Sequence, residues 1–448
     1  MSDRAQKKGI WGWMLFDWAS QPFHTLLITF IFSHYFVNRV VADPVAGQAQ
    51  WAFMLSIAGF IIAIMAPFLG AFADAAGPRK PWIAFFSIFY VVGAGMLWLA
   101  VPGMMDPTIV LIGFAIGLIG AEFATVFTNA MLPDLGPREE VGRVSGSGWA
   151  MGYWGGLVSL IIVLGFMVGD PETGSTRFGT TPILGLDPAM GEGERGAGIL
   201  TSIWYIVFII PLFLWTRDAP RRATKGAFQR GLGLLVQNIK TLSSRPSFAS
   251  YLMSSMFYRD ALNGLYMFGG IYAGSVLGWS IVEVGTFGLL ANVTGALGAW
   301  AGGRIDRAQG PKLVIRGSIW LLIGVCLAVV MTDRSMVLMI PVAETSALPD
   351  ILFYVCGAVI GAAGGSLQAA SRTMLVHQSE EEAMTQSFGL YALTGKATSF
   401  LAPMLIGWAT LVTESQRLGI APVIGLFIIG IVILYWVKPQ GDVRVQPA

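Results

Sequence analysis

The chain has 448 residues, 55% of them hydrophobic and only 12% charged, about half the charged fraction usual in a soluble globular domain. One water-soluble core of this size would still need a polar shell that this composition lacks, so the sequence describes a polytopic membrane protein. A formal net charge of +2 without a long basic run gives no support for a nucleic-acid partner.

Crossing a hydrocarbon core of about 30 Å takes about 20 apolar residues, and the sequence divides into twelve such runs. The first, 12–40, follows Lys7 and Lys8 as a signal peptide would. It is too long for a signal and has no small-residue cleavage pattern, so it reads as a retained helix. Runs at 50–73, 81–101, 108–130, 146–169 and 198–216 follow. The longest loop among them, 170–197, is rich in Gly, Pro and acids and reads as an irregular flap. Residues 217–247 form a polar connector in which many bases face the single acid Asp218, long enough to lie partly as a helix along the membrane surface. Six more runs follow at 248–275, 281–303, 313–331, 349–371, 385–411 and 419–437. The two cysteines, Cys326 and Cys356, lie in these later runs without metal-ligand spacing or a disulfide framework, so no metal and no cofactor is expected. The expectation is an all-α membrane protein of twelve transmembrane helices in two six-helix halves, 1–216 and 248–448.

Of the 28 Lys and Arg residues, five (Arg39, Arg177, Arg195, Arg334, Arg417) fall on one side and two (Arg259, Lys396) inside helices; the rest lie on the side of the N-terminus. That asymmetry places both termini in the cytoplasm. Trp11, Trp13 and Trp436, near span ends, read as interfacial belt anchors.

The turn between helices two and three reads "GAFADAAGPRKP", Gly70 to Pro81, and that between helices eight and nine reads "GGRIDRAQGPKL", Gly302 to Leu313. Each has a Gly, an Asp four residues later, a Gly-Pro pair and a base. The pair resembles the cytoplasmic signature of the major facilitator superfamily, repeated once per half. A small Gly lets two helices approach closely. An Asp suits the positive N-terminal end of a helix, and the bases can reach an acid elsewhere. Asp74 and Asp306 thus become gate candidates with Gly70, Arg79, Lys80, Arg307 and Lys312; Asp134 is the expected partner of Arg79. Arg372 and His377, at the end of helix ten, read as gate contacts or snorkelling bases.

"WGWMLFDWASQPFHTLLITFIFSHYF" (Trp11–Phe36) and "GGSLQAASRTMLVHQSEEEAMTQSFGLYALTGKATSFLAPMLIG" (Gly364–Gly407) resemble the opening and closing signatures of the autophagy-related vacuolar effluxer family, a branch of that superfamily. The Asp-Trp-Ala, Ser-Arg, Phe-Gly-Leu-Tyr and Gly-Lys-Ala pieces carry the likeness. It implies a twelve-helix transporter of the major facilitator fold, in which helices one, four, seven and ten line a central cavity, and it implies amino-acid export as the activity of the yeast relatives. "FYRDALNG" (Phe257–Gly264) is similar to the family's seventh helix but departs from it at Arg259.

Charges inside the membrane cost on the order of 3 kcal/mol each unless paired, so their positions carry information. Asp17, Gln21 and His24 share one helical stripe, spaced i, i+4, i+7. Helix four offers Glu122, Thr125 and Asn129, and helix seven Arg259, Asn263 and Tyr266 with Asp260 beside them. Helix ten offers Gln368 and Arg372, and helix eleven Lys396 with Ser399. Three intramembrane acids (Asp17, Glu122, Asp260) face two bases (Arg259, Lys396). The acid left over makes Glu122 or Asp17 a candidate proton carrier, and the Arg259–Asp260 pair reads as a brace or a substrate contact.

With no nucleotide-binding loop, the expectation is a non-enzymatic secondary transporter working by alternating access. It would export or exchange a small polar metabolite, an amino acid by resemblance, with protons as the candidate coupling ion. Arg259 or Lys396 would take a carboxylate, and Asp17 or Glu122 an ammonium. A proton-driven exporter of lipophilic drugs and a non-transporting receptor or scaffold are the alternatives. The expected setting is a bacterial cytoplasmic membrane, and the expected state a monomer.

Overall fold

In lipid every backbone polar group must find its partner within the protein, and long apolar runs meet that demand as helices. A computed structural model describes residues 3–220, 240–279 and 281–442 together with Gly233 and Val236. Helix one is a composite: α-helix Asp3–Pro22, π-helix Phe23–Phe30, α-helix Phe32–Tyr35 and π-helix Phe36–Val40. Helices two to six span Pro44–Ala76, Lys80–Met96, Thr108–Ala130, Val141–Ile162 (continued as π-helix Val163–Met167) and Glu192–Trp215. Helices seven to ten span Pro246–Ser275, Ile281–Gln309, Pro311–Val330 and Leu348–Gln378. Helix eleven comes in two pieces, Met384–Ala397 and Leu401–Thr413, and helix twelve spans Ala421–Leu434 after a short Gln416–Gly419 turn of helix.

Helix four coincides with its expected range, whereas most others run beyond theirs. Helix one begins at Asp3, not residue 12, and helix ten continues to Gln378. Apolarity marks only the part of a helix that lies in hydrocarbon, and the polar turns beyond it escape such a reading. The flap at 170–197 is correspondingly shorter, because Glu192 already opens helix six. A two-stranded hairpin, Met336–Val337 with Ile340–Pro341, ornaments the turn after helix nine. Most of the expected surface helix in the connector lies outside the described residues.

Among the described residues nine helices are long and apolar enough to cross a membrane. Helices one, seven and eleven fall outside that set. One and eleven are interrupted, and seven carries Arg259 and Asp260.

The chain forms two compact units, residues 1–135 with 151–228, and 136–150 with 229–448. The division falls inside helix five. The first unit is built around aromatic rings: Phe16, Phe23, Phe32, Phe36, Phe114 and Phe123 are fully buried, and Tyr90 stacks on Tyr205 at 3.9 Å between centroids. In the second unit helix eight packs against helix ten through small residues, with the Ser366 hydroxyl donating to the Gly298 carbonyl at 2.7 Å, a close approach that small side chains permit.

Candidate functional site

Pro22 determines the shape of helix one. It has no N–H to give the Trp18 carbonyl, and the indole Nε1 of Trp204 donates to that carbonyl instead, at 3.0 Å. Beyond Pro22 the ladder widens to π-helical spacing, with Ile31 N–H bonding Leu26 O at 3.0 Å. Such π segments frequently mark functional positions. Asp17, Gln21 and His24 straddle this break, all half-buried in a stretch whose other residues are mostly buried. The widened turn means that the three do not continue one regular stripe.

Glycines of helix five form the adjoining wall. A Cβ on Gly155 would lie 2.5 Å from the Trp18 oxygen, and one on Gly152 would touch Asp17 and Gln21 at 3.4–3.6 Å. From Gly120 to Ala130 on helix four, Glu122, Thr125 and Asn129 are the accessible positions and every other residue is buried. The first unit therefore presents partly accessible polar residues on helices one and four, each set within a largely buried stretch.

The second unit presents charge on helices seven and eleven. The Arg259 guanidinium lies 3.9 Å above the Tyr391 ring, and its Nη1 donates to the Tyr391 carbonyl at 2.9 Å. Tyr391 in turn is stacked parallel to Tyr251. Gly395 makes room for this seat, since a Cβ there would come within 2.6–2.7 Å of three guanidinium atoms. Asp260 is 2% exposed, and its Oδ2 accepts from Ala402 N–H at 2.8 Å. Arg259 and Asp260 do not pair with each other, since consecutive residues on a helix point in different directions; each side chain instead joins helix seven to helix eleven separately. Asn263 is exposed, Gln368 is half-buried on helix ten, and Lys396 is half-buried in the last turn before the break in helix eleven.

At the end of the molecule rich in bases, the structure brings Arg79 and Asp134 together at 2.6 Å. Arg79 is 8% exposed. Asp218 caps the start of helix three, accepting from the backbone N–H of Arg79 at 2.7 Å and of Lys80 at 3.0 Å. Asp74 and Gly70 are buried nearby on helix two.

In the second unit Asp306, 4% exposed, lies against Gly142 in the first turn of helix five. Arg307 pairs with Glu140 at 2.5 Å, and Glu140 also takes Arg143. Arg372, 2% exposed, does not snorkel. Its Nε donates to Ser145 Oγ at 2.9 Å and its Nη2 to the Ser145 carbonyl at 2.7 Å, while the guanidinium faces Trp149. His377 contributes its carbonyl, to Arg138 at 2.6 Å.

Two bases behave otherwise than expected. Lys80 Nζ donates to the carbonyls of Phe213 and Thr216 at the end of helix six. Lys312 Nζ donates to those of Tyr435 and Val437 after helix twelve. The last carbonyls of a helix carry partial negative charge and lack intrahelical partners, so they serve an ammonium as well as an acid would.

The sequence model of the "Vacuole effluxer Atg22 like" family matches residues 37–444. The chain belongs to that family. An MFS-type transporter of Bacillus subtilis strain 168, itself described as uncharacterised, is 23% identical over 444 residues, covering 97% of this chain and 96% of its own length. Autophagy-related protein 22 of Coccidioides immitis strain RS is 22% identical over 284 residues, which is 60% of this chain but only 44% of the fungal one. In three dimensions the Atg22-like chain resembles FucP, a major facilitator superfamily transporter in the outward conformation, with TM-score 0.69 and 13% identity over 96% of this chain and 98% of that one. It also resembles the human organic anion transporter MFSD10, with TM-score 0.70 and 13% identity over 96% and 99%. The fold is therefore that of the major facilitator superfamily, and the chain is an MFS-type, multi-pass membrane transporter.

Several pieces of the Atg22-like signature now have physical roles in this chain. Tyr391 closes Phe-Gly-Leu-Tyr and seats Arg259, while Gly395 opens Gly-Lys-Ala and leaves room for it. In Ser-Arg, the Ser371 hydroxyl bonds Tyr258 and its carbonyl accepts from Tyr251, and Arg372 holds Ser145. Sequence reasoning missed Tyr391, Gly395, Ser145, Glu140 and Trp204 as partners. The small residue one turn after an aromatic, Tyr391-x-x-x-Gly395, was the available hint of a large group lying between them. Trp13 is corrected too: it is 1% exposed and donates to the Thr128 carbonyl at 2.7 Å, whereas Trp11 and Trp436 are exposed as an interfacial belt requires.

Proposed function

We propose that this chain exports or exchanges a small zwitterionic metabolite, an amino acid, by alternating access, with protons as the coupling ion. The observation that carries the reading is which helices are interrupted or charged. Helices one and eleven are broken and helix seven is charged, and Asp17, Gln21, His24, Arg259, Asn263 and Lys396 on them remain at least partly accessible. Such residues are expensive in lipid and mark substrate and ion routes. Broken helices in particular offer chain ends to ligands in transporters.

Arg259 is the carboxylate-binding candidate, because one nitrogen and one face are engaged by Tyr391 and the remaining donors of its fork suit a carboxylate. Lys396 is the second base. Asp17 or Glu122 would take the ammonium group, with Gln21, His24, Asn129, Asn263 and Gln368 as polar contacts. The clusters around Arg79–Asp134 and Asp306–Arg307–Glu140 would hold and release the gate on the cytoplasmic side, where the charge asymmetry also puts both termini. The proposed divisions are the six-helix halves 1–216 and 248–448 joined by the connector 217–247. The family description, vacuole effluxer, supports efflux, and the presence of a relative in Bacillus subtilis is compatible with a bacterial cytoplasmic membrane.

Uptake of a panel of labelled amino acids into proteoliposomes, with and without an imposed pH gradient, tests this reading. Gradient-dependent accumulation of one class is the expected result. A verified folded protein that moves no amino acid under either condition would remove the substrate assignment.

A further inference from the structure

Helix eleven stops at Ala397 and restarts at Leu401, and the restarted piece has its first N–H groups fully employed. Leu401 N–H bonds Thr398 O at 2.8 Å, Met404 N–H bonds Phe400 O at 3.0 Å, and Pro403 has none to give. Ala402 N–H alone is served by a side chain, through Asp260 Oδ2 at 2.8 Å. The other oxygen of that carboxylate, Oδ1, is buried without a hydrogen-bond partner. A buried acceptor left unmet in this way costs free energy unless something occupies it.

We propose that Asp260 Oδ1 is a proton-binding site, and that the bound proton loosens the grip of helix seven on the second piece of helix eleven. Only an O–H bond forms: the proton arrives from water and returns to it. An ionised carboxylate makes a charge-assisted bond to Ala402 N–H, roughly twice as strong as a neutral one, and complements the positive end of the 13-residue helix it caps. Protonation removes both effects and leaves a weaker cap, so occupancy is written into the continuity of helix eleven, whose preceding turn carries Lys396.

One orphan oxygen suits a proton better than a metal cation, which takes six or more oxygen ligands when it is hard. Among the described residues no group of three acids, His or Cys could hold a metal. The charged groups on the elements packed against helix seven are few. Arg259 is on helix seven itself and goes to Tyr391, Lys396 is on helix eleven, and helix twelve has none. Helix eight contributes Glu283, Arg304, Asp306 and Arg307, and helix ten Asp350, Arg372 and His377, all toward the ends of those helices, and Asp442 of the C-terminal segment caps the start of helix seven through Ser247 and Phe248 N–H. The proposal rests on the transporter reading for its purpose but not for its chemistry.

The test is infrared difference spectroscopy of the purified full chain between high and low pH, with Asp260→Asn as the variant. Asparagine caps a helix about as well as aspartate but cannot titrate. A protonated-carboxyl band that appears at low pH in the parent and is lost in Asp260→Asn is the expected result, with no stabilisation of the parent by sodium over choline. A band unchanged in the variant, or a sodium-specific stabilisation lost in it, would overturn the proposal. Should the variant not fold, hydrogen exchange in the parent decides: Ala402 should exchange faster at low pH relative to neighbouring amides, and pH-independent relative protection refutes the idea. A protein that shows the band yet moves no amino acid would cost the substrate assignment and leave the proton site standing.

Discussion

Replacing Gly395 by alanine should act on Arg259 and on nothing else. The new Cβ would fall 2.6–2.7 Å from the guanidinium, so something must move, and the tip of a flexible side chain moves more easily than backbone. The displaced Arg259 loses its 2.9 Å bond to the Tyr391 carbonyl and its place over the ring. A hydrogen bond from a charged group contributes about 1.5–3 kcal/mol and a cation–π contact about 0.5–1 kcal/mol at an exposed site. Arg259 is half-buried, so water recovers part of that sum, and a net loss of about 1–2 kcal/mol remains. That corresponds to about a tenfold change in apparent affinity if Arg259 binds the substrate carboxylate. The assay is exchange of a transported amino acid across proteoliposomes, run as a double-mutant cycle with Arg259→Ala. Gly395→Ala should weaken apparent affinity in the parent background and be silent once Arg259 is gone. An equal effect in both backgrounds would refute the link between Gly395 and Arg259.

Trp204→Phe keeps the ring stack on Trp18 but strips the donor from the Trp18 carbonyl, which should cost about 1–3 kcal/mol; adding Pro22→Ala should restore much of it by returning the missing N–H, as read by thermal unfolding in detergent. Gly155→Ala should destabilise by about 1–3 kcal/mol, because the obstacle is the backbone oxygen of Trp18 and overpacking is costly. Gly324→Ala on helix nine, where the added methyl meets nothing, should be neutral or stabilising by up to about 1 kcal/mol, and the same unfolding assay compares the two. Asp134→Asn should change stability by no more than about 1 kcal/mol, since that carboxylate is half exposed. If the Arg79 cluster is a gate, the same variant alters the exchange rate with little change in apparent affinity, a split that steady-state transport kinetics resolves.

The twelve helices and the pairing of Arg79 with Asp134 were legible in the sequence for related reasons. Apolar length reports the crossing directly, and a charge at the membrane edge must find an opposite charge nearby. The breaks were not legible. Thr398–Phe400 interrupt helix eleven without a change in composition, and Pro22 is tolerated in membrane helices often enough that it announces no π segment by itself. Partnerships such as Arg259 with Tyr391, or Arg372 with Ser145, join positions more than 100 residues apart in sequence. The residue types say only that partners exist. Lys80 and Lys312 show the limit from the other side, since a base that seeks negative charge can satisfy itself on helix-end carbonyls.

The transporter reading is tested most directly by counterflow: proteoliposomes preloaded with unlabelled amino acid, labelled amino acid outside, and parent protein compared with Asp17→Asn and Arg259→Gln. The prediction is rapid exchange by the parent and its loss in both folded variants, because each removes one charge complementary to a zwitterion. Exchange that persists undiminished in both variants would contradict the assignment of the intramembrane charges to the substrate.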